Sequence, residues 1–125
     1  MKPTDSELQI LGVLWKMGPS TVRTVNDELN KERRVGYTNT LKMMQLMHDK
    51  GLLNRDESSR SHIYSPAIEA RAIKSNVLSN MIDTVFEGNP SKLLVHALGN
   101  YTPSREELDE IKSIIQKIEE DGNAH

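Results

Sequence analysis

Four polar side chains between residues 38 and 45 have the types and the spacing to read the edges of base pairs. The opposite side of the same predicted helix carries Thr40, Met43, Met44 and Met47, at the i, i+3, i+4, i+7 spacing of a buried face. The outward-facing set consists of Thr38, Asn39, Lys42 and Gln45. An asparagine or glutamine side chain can pair with adenine through two hydrogen bonds, and a lysine can reach guanine or a phosphate.

The same helix also contains two leucines, and several side chains around it could lie near DNA phosphates. Leu41 and Leu46 do not fit a polar outer face: either they widen the contact with the core, or one of them contacts a thymine methyl group. Side chains that could lie near DNA phosphates are Arg23, Tyr37, Arg55, Arg60 and His62. Because a polar helix face is usually only solvated, it is the cations of the predicted hairpin that favour DNA contact.

The elements that would position these side chains follow the order helix, helix, helix, hairpin. A capping box between Thr4 and Glu7 predicts the start of the first helix, and the third helix is predicted from about residue 38 to 50. Runs of strand character at 52–56 and 61–65 predict a hairpin. This order indicates a mainly helical fold with an N-terminal winged helix-turn-helix, in which the third helix enters the major groove.

Beyond Pro66 the pattern is helical throughout, which predicts a winged-helix DNA-binding domain over 1–66 and a helical dimerisation domain over 67–125. A long helix is predicted over 67–87. The Asn89-Pro90 pair predicts the start of a short helix over 90–98, which ends at Gly99, and a last helix is predicted from about residue 104. The apolar side chains of the first and last of these form a set too large to stay exposed on a monomer, so we expect a homodimer with twofold symmetry. The set consists of Val77, Leu78, Met81, Ile82, Val85, Phe86, Leu108, Ile111, Ile115 and Ile118.

Composition narrows the function classes. The chain of 125 residues has a net charge of −2. Residues 1–66 hold ten Lys and Arg against eight Asp and Glu, while residues 67–125 hold six against ten, so the two parts differ in sign and suggest different partners. There is no run of 18 apolar residues and no secretory signal, and with no cysteine to form disulfides we expect a cytoplasmic protein without a membrane-inserted segment.

Neither a catalytic site nor a cofactor or metal site is predicted. The sequence contains no nucleophile elbow, phosphate-binding loop or HExxH motif, so we expect a protein that is not an enzyme. The absence of cysteine excludes a thiolate metal site. The histidines His48, His62, His96 and His125 lack the spacing of metal ligands.

Almost the whole chain resembles the penicillinase-repressor family of winged-helix transcriptional regulators, the BlaI/MecI/CopY type. The resemblance rests on Thr4-Asp5-Ser6-Glu7-Leu8 with Leu14-Trp15, on Tyr37-Thr38-Asn39-Thr40, on Lys50-Gly51-Leu52-Leu53, on Tyr64-Ser65-Pro66, and on residues 80–88 and 104–108. It implies repression from inverted-repeat operator DNA by a homodimer. It also implies inactivation when a membrane-bound sensor metalloprotease cuts the dimerisation domain.

The chain departs from the family pattern at three points. Leu46-Met47 stands where many members have an Arg-Leu pair, which implies one phosphate contact fewer. Asn80-Met81 stands where penicillinase repressors are cut between Asn and Phe, and is the candidate cleavage site. The absence of cysteine excludes copper sensing through a cysteine-rich hook. The weak net charge and Leu46 support an alternative function, a winged-helix protein-interaction module without specific DNA binding.

Overall fold

Three helices and a two-stranded hairpin make up the N-terminal part of the chain. In the computed structural model, which describes residues 2–123, α1 spans Asp5–Met17, α2 spans Val22–Leu29 and α3 spans Tyr37–Asp49. Strand β1 (Leu53–Asp56) pairs antiparallel with β2 (Ile63–Pro66). We call this hairpin, with its connecting residues 57–62, the wing. The order of elements is that of a winged helix, and it confirms the predicted fold class.

The predicted capping box starts α1. Thr4 Oγ1 accepts a hydrogen bond from the Glu7 amide at 3.2 Å, and Glu7 Oε1 accepts one from the Thr4 amide at 2.8 Å. The other carboxylate oxygen of Glu7 accepts a hydrogen bond from Lys50 Nζ at 2.9 Å. Because Lys50 is the C-cap of α3, this buried carboxylate connects the start of α1 with the end of α3.

A main-chain bridge that the sequence pattern did not indicate joins the turn before α2 to β2. The Ser20 amide donates to the Tyr64 carbonyl at 2.9 Å, and the Tyr64 amide donates to the Ser20 carbonyl at 2.8 Å. The indole Nε1 of Trp15 also donates to the carbonyl of Ile68, at 3.1 Å. These contacts hold the wing against the helices and fix its position beside α3.

A single apolar cluster fills the space between the three helices and the wing. Its buried members are Ile10, Leu11, Leu14, Val22, Val25, Met44, Met47, Leu52, Leu53 and Tyr64. The predicted inner face of α3 is confirmed for Thr40, Met44 and Met47, whereas Met43 is half-buried at the edge of the cluster. The two leucines of α3 differ in burial: Leu41 packs against the cluster, and Leu46 is 49% exposed.

Three further helices complete the chain: α4 (Ala70–Thr84), α5 (Pro90–Asn100) and α6 (Arg105–Asn123). The chain divides into two compact units, and the boundary along the sequence falls between Val77 and Leu78. α4 is shorter at both ends than the predicted helix over 67–87. After its C-terminal end the backbone becomes left-handed at Glu87, with φ of 55°, and at Gly88, with φ of 74°, and the Gly88 amide donates to the Ile82 carbonyl at 2.8 Å.

The predicted end of α5 at Gly99 is wrong, since the helix continues to Asn100. A glycine ends a helix readily when it adopts a left-handed conformation, and Gly99 has no positive φ. The helix instead ends where Tyr101 takes an extended backbone, with φ of −119° and ψ of 142°. At the start of α5, Asn89 caps the Ser91 amide at 3.0 Å, as the Asn-Pro pair predicted.

The C-terminal helices have little core of their own. None of the side chains described between residues 74 and 122 is buried. None of the helices within residues 2–123 combines the length and the apolar character needed to cross a membrane.

Candidate nucleic-acid interface

The outer face of α3 carries the four predicted base-reading side chains in exposed positions. Thr38, Asn39, Lys42 and Gln45 are all exposed. They are held outward because Thr40, Met44 and Met47, on the opposite side of the helix, are buried in the apolar cluster. The N-terminal half of α3 contains no carboxylate, and Asp49 is the last residue of the helix.

A buried polar network holds the start of α3 against α2. Asn26 Nδ2 donates to Thr40 Oγ1 at 2.9 Å and to the Val35 carbonyl at 3.0 Å. Asn30 extends the network, because its side chain accepts from the Val35 amide at 3.0 Å and donates to the Val35 carbonyl at 2.8 Å. The loop that enters α3 is therefore fixed by Asn26 of α2 and by Asn30, the residue that caps the C-terminal end of α2. Neither asparagine was identified from the sequence, although Asn26 directly follows the apolar Val25.

One groove brings together five of the nine predicted DNA-contacting residues. It lies between the start of α2, the outer face of α3 and the wing. The five residues are Arg23, Tyr37, Gln45, Arg60 and His62. The Arg23 guanidinium lies over the Tyr37 ring, 5.1 Å from its centroid, which is the range of a cation–π contact. This pair joins the first turns of α2 and α3 and presents a positive charge beside the reading face.

A second groove, on the other side of α3, contains Asn39 and Lys42. Three cations that the sequence analysis did not select share it: Arg33, Arg34 and Lys50. Arg33 donates to Gln9 Oε1 at 2.7 Å, and Lys50 is bound to Glu7, so both are held in place. Arg34 is exposed. The segment 31–34, between α2 and α3, thus supplies two arginines to this groove.

The two arginines of the wing occupy different environments. Arg60, at the tip, is exposed, whereas the Arg55 side chain is only 20% exposed. Arg55 faces Tyr64 across the strand pair, with its guanidinium carbon 6.0 Å from the centroid of that ring, and Nη2 lies 3.5 Å from Glu57 Oε2. The neighbouring Tyr64, and then the Glu57 carboxylate, raise the pKa of Arg55. Arg55 thus packs within the wing, and Arg60 is the wing arginine most open to a phosphate.

The histidines are not grouped. His48 lies on α3, His62 beside β2 and His96 on α5, while His125 lies outside the described residues. Within residues 2–123, no three His, Asp or Glu side chains lie close enough to share a metal ion.

The C-terminal helices expose much of the apolar set predicted for a dimer interface. Five of its members are exposed: Leu78, Met81, Val85, Ile115 and Ile118. The other five are half-buried: Val77, Ile82, Phe86, Leu108 and Ile111. α5 adds exposed apolar side chains that the sequence analysis did not include, namely Leu94, Val95 and Leu98.

The candidate cleavage site lies within α4. Asn80 and Met81 are both exposed. The Asn80 carbonyl accepts from the Thr84 hydroxyl at 2.7 Å. The side chains before and after the Asn80–Met81 bond are therefore open to solvent, but the backbone that contains the bond is helical.

Comparison with known proteins places this arrangement in a family. The sequence profile of the family described as penicillinase repressor matches residues 3–117. The penicillinase repressor of Bacillus licheniformis is 24% identical, over 91% of this chain and 89% of the relative. The methicillin resistance regulatory protein MecI of Mammaliicoccus sciuri is 18% identical, over 91% and 93%. The transcriptional regulator BlaI of Mycobacterium tuberculosis is 24% identical, over 92% and 83%.

A solved structure supports the fold. A MarR family protein from Bacillus stearothermophilus superposes with a TM-score of 0.55 over 98% of this chain and 77% of that one, at 17% sequence identity. At that identity the likeness concerns the fold alone. The profile match covers both the winged helix and most of the C-terminal helices, and its family consists of transcriptional repressors rather than enzymes. The chain therefore belongs to the penicillinase repressor family.

Proposed function

We propose that this chain represses transcription by binding inverted-repeat operator DNA as a homodimer. The observation that supports this most is the outer face of α3, where four polar side chains are exposed between two grooves that contain cations. A major groove admits one helix, and the phosphates on its two sides would then lie near Arg23 and Arg60 on one side and Arg34 on the other. Phosphate contacts set register and orientation, while contacts to base edges set specificity.

Each polar side chain of α3 has a distinct role in this proposal. Asn39 and Gln45 would each pair with an adenine, and Lys42 would donate to guanine. Thr38 can donate to or accept from either base type. Tyr37, held by Arg23, would lie near the sugar-phosphate backbone.

The homodimer follows from the exposed apolar side chains of the C-terminal helices. Exposed apolar side chains as numerous as these, among them Val85, 67% exposed, and Ile118, 64% exposed, are more than a monomer commonly leaves in water. A twofold axis would pair these side chains with those of a second copy and give two winged helices for two half-sites. Linking the second winged helix raises its effective concentration at the operator, commonly by about 10²–10⁴ in avidity.

Proteolysis between Asn80 and Met81 is the proposed way of ending repression, with a membrane-bound sensor metalloprotease as the partner. A cut in α4 would remove the avidity gain without altering the reading face of α3. Because the backbone there is helical, α4 must open locally before a protease can bind an extended segment. The exposure of both side chains is consistent with recognition before opening.

The test is enrichment of binding sites from a pool of randomised duplexes by the full chain. We expect two inverted copies of one short sequence, with centres separated by about 10 base pairs or a multiple of that spacing. The Asn39→Ala variant should enrich the same site with preference lost at one position of each copy. The matched control is Asn76→Ala, an exposed asparagine on α4, which should enrich the unaltered site. A wild-type pool no richer in any sequence than the starting pool would refute the proposal and favour the protein-interaction module.

A further inference from the structure

We propose that Leu46 is a specificity-determining residue, which reads the methyl group of a thymine in each half-site. The inference rests on the proposed function and adds an apolar contact to its polar readout. The observation behind it is that the two leucines of α3 have different surroundings. Leu41 packs against the apolar cluster, whereas Leu46 is 49% exposed on a face that is otherwise polar.

Leu46 is surrounded by side chains already placed in the interface. It lines the same groove as Asn39, Lys42 and Lys50. Lys42 is four residues before it and Lys50 four residues after it, so the three lie in a row along one side of the helix. Lys50 turns toward Glu7, with 2.9 Å between Nζ and Oε2, whereas Lys42 and about half of the Leu46 side chain are open to solvent beside Asn39.

The chemistry of the major groove offers one partner for an exposed leucine. Base edges in that groove present donors and acceptors, and the only apolar group among them is the thymine C5 methyl. Removing one methyl-sized apolar group from such a contact costs about fourfold in affinity. The contact involves no charge, so it should discriminate between sequences without adding to the salt dependence.

The position of the thymine follows from the helix geometry. Lys42 and Leu46 are about one helical turn apart, or roughly 5.4 Å along the axis. Base pairs are stacked at about 3.4 Å per strand. The thymine should therefore lie one or two base pairs from the position whose preference depends on Lys42.

The experiment uses the enriched duplex and the full chain. Each thymine of the half-site is replaced in turn by deoxyuridine, in both copies of the inverted repeat, so that only its methyl group is removed. We expect wild-type affinity to fall about fourfold per half-site at one thymine, and Leu46→Ala to bind the thymine and uracil forms of that site equally. The control is Met17→Ala, which removes an exposed apolar side chain from α1, outside the proposed interface, and should keep the wild-type sensitivity at that thymine.

Each outcome decides the inference. Loss of methyl sensitivity in Leu46→Ala alone, with an unfolding midpoint equal to that of the wild type, supports it. A site at which no thymine methyl matters, or at which Leu46→Ala keeps the full sensitivity, overturns the inference and leaves the proposed function intact. Failure to enrich any duplex overturns both, because no operator is then bound.

Discussion

The Asn26 side chain of α2 donates a hydrogen bond to Thr40 of α3, with 2.9 Å between Nδ2 and Oγ1. Both residues are buried, with 8% and 2% of their surfaces exposed. Asn26 Nδ2 also donates to the Val35 carbonyl at 3.0 Å, so one amide fixes both the entry and the first turn of α3. Because the orientation of a reading helix decides which base edges its side chains reach, this pair is a positioning element of the interface.

The first prediction concerns this pair. Replacing Thr40 by valine keeps the volume but removes the acceptor of a buried amide, which should lower the free energy of unfolding by about 1–3 kcal/mol. The measurement is urea unfolding at neutral pH. The control is Thr38→Val, an exposed threonine in the same helix, which should change stability by less than about 0.5 kcal/mol. Equal free energies of unfolding for the two variants would show that this hydrogen bond does not stabilise the fold.

The second prediction concerns the pH dependence of stability. Burial raises the pKa of the Glu7 carboxyl, but hydrogen bonds from the Thr4 amide and Lys50 lower it more, so the pKa lies below the ordinary value of 4.5. A carboxyl with a lowered folded-state pKa stabilises the fold above its unfolded pKa and loses that contribution as pH falls through the folded value. The wild type should therefore lose more stability than Glu7→Gln as pH falls below 4.5.

Urea midpoints measured at a series of pH values, from neutral to strongly acidic, test this directly. Other carboxyls titrate in both proteins, so the difference between the two curves isolates Glu7. Glu119→Gln, an exposed position on α6, is the control and should follow the wild-type curve. Parallel curves for the wild type and Glu7→Gln would contradict the role given to this ion pair.

The third prediction concerns the dimer. Val85→Lys, just after α4, and Ile118→Lys, on α6, each place a charge among the exposed apolar side chains, which should weaken association without disturbing the fold because both positions are already exposed. Sedimentation velocity at tens of micromolar should show a dimer for the wild type and a shift toward monomer for both variants. Ser113→Lys, on the opposite side of α6, should remain a dimer. A wild-type chain that sediments as a monomer would refute the proposed interface.

The fourth prediction concerns the proposed proteolysis between Asn80 and Met81. When the full chain is co-expressed with its cognate sensor protease under inducing conditions, a fragment with Met81 at its N-terminus should accumulate. Asn80→Ala should slow the cut at this bond, because it removes the side chain that precedes the bond while alanine leaves α4 helical. As a control, Asn76→Ala, one turn earlier on α4, should be cut like the wild type. A chain that stays intact in induced cells would mean that another signal ends repression.

Hydrophobic periodicity predicted most of the fold, because each element has an apolar face that it must bury. The inner face of α3 and the capping box at Thr4 were visible in the sequence for this reason. The bridge between Ser20 and Tyr64 was not, since main-chain pairing between distant residues leaves no side-chain signature. The end of α5 was misplaced because Gly99 was taken as a stop signal, while its backbone stays in the helix.

The candidate site was predictable only to the level of a helix face. Spacing alone placed Lys42 and Gln45 outward, but it left open which leucine of α3 faces the core. That depends on the surroundings of the helix: the cluster reaches Leu41 and does not reach Leu46. The packing of Arg55 on Tyr64 likewise requires the strand register, which the sequence did not specify.

If α3 and the wing bind DNA phosphates as proposed, the affinity for DNA must fall as the salt concentration rises. Binding of the full chain to the enriched duplex and to a scrambled duplex is measured over a range of salt concentrations. Each phosphate contact contributes about 0.9 to the slope of log affinity against log salt. Arg60→Ala should weaken both duplexes alike and reduce the slope by about 0.9 per half-site. The control is Arg105→Ala, an exposed arginine on α6, which should leave the slope unchanged.

Asn39→Ala separates base reading from phosphate binding in the same titration. It should cost about 1–3 kcal/mol on the enriched duplex, much less on the scrambled one, and leave the slope unchanged. We expect log affinity to fall steeply with log salt for the wild type and less steeply for Arg60→Ala. Asn39→Ala should keep the wild-type slope and lose only its preference for the enriched duplex. A wild-type affinity that does not change with salt, or an Asn39→Ala variant that binds the enriched duplex as tightly as the wild type, would contradict the proposed DNA interface.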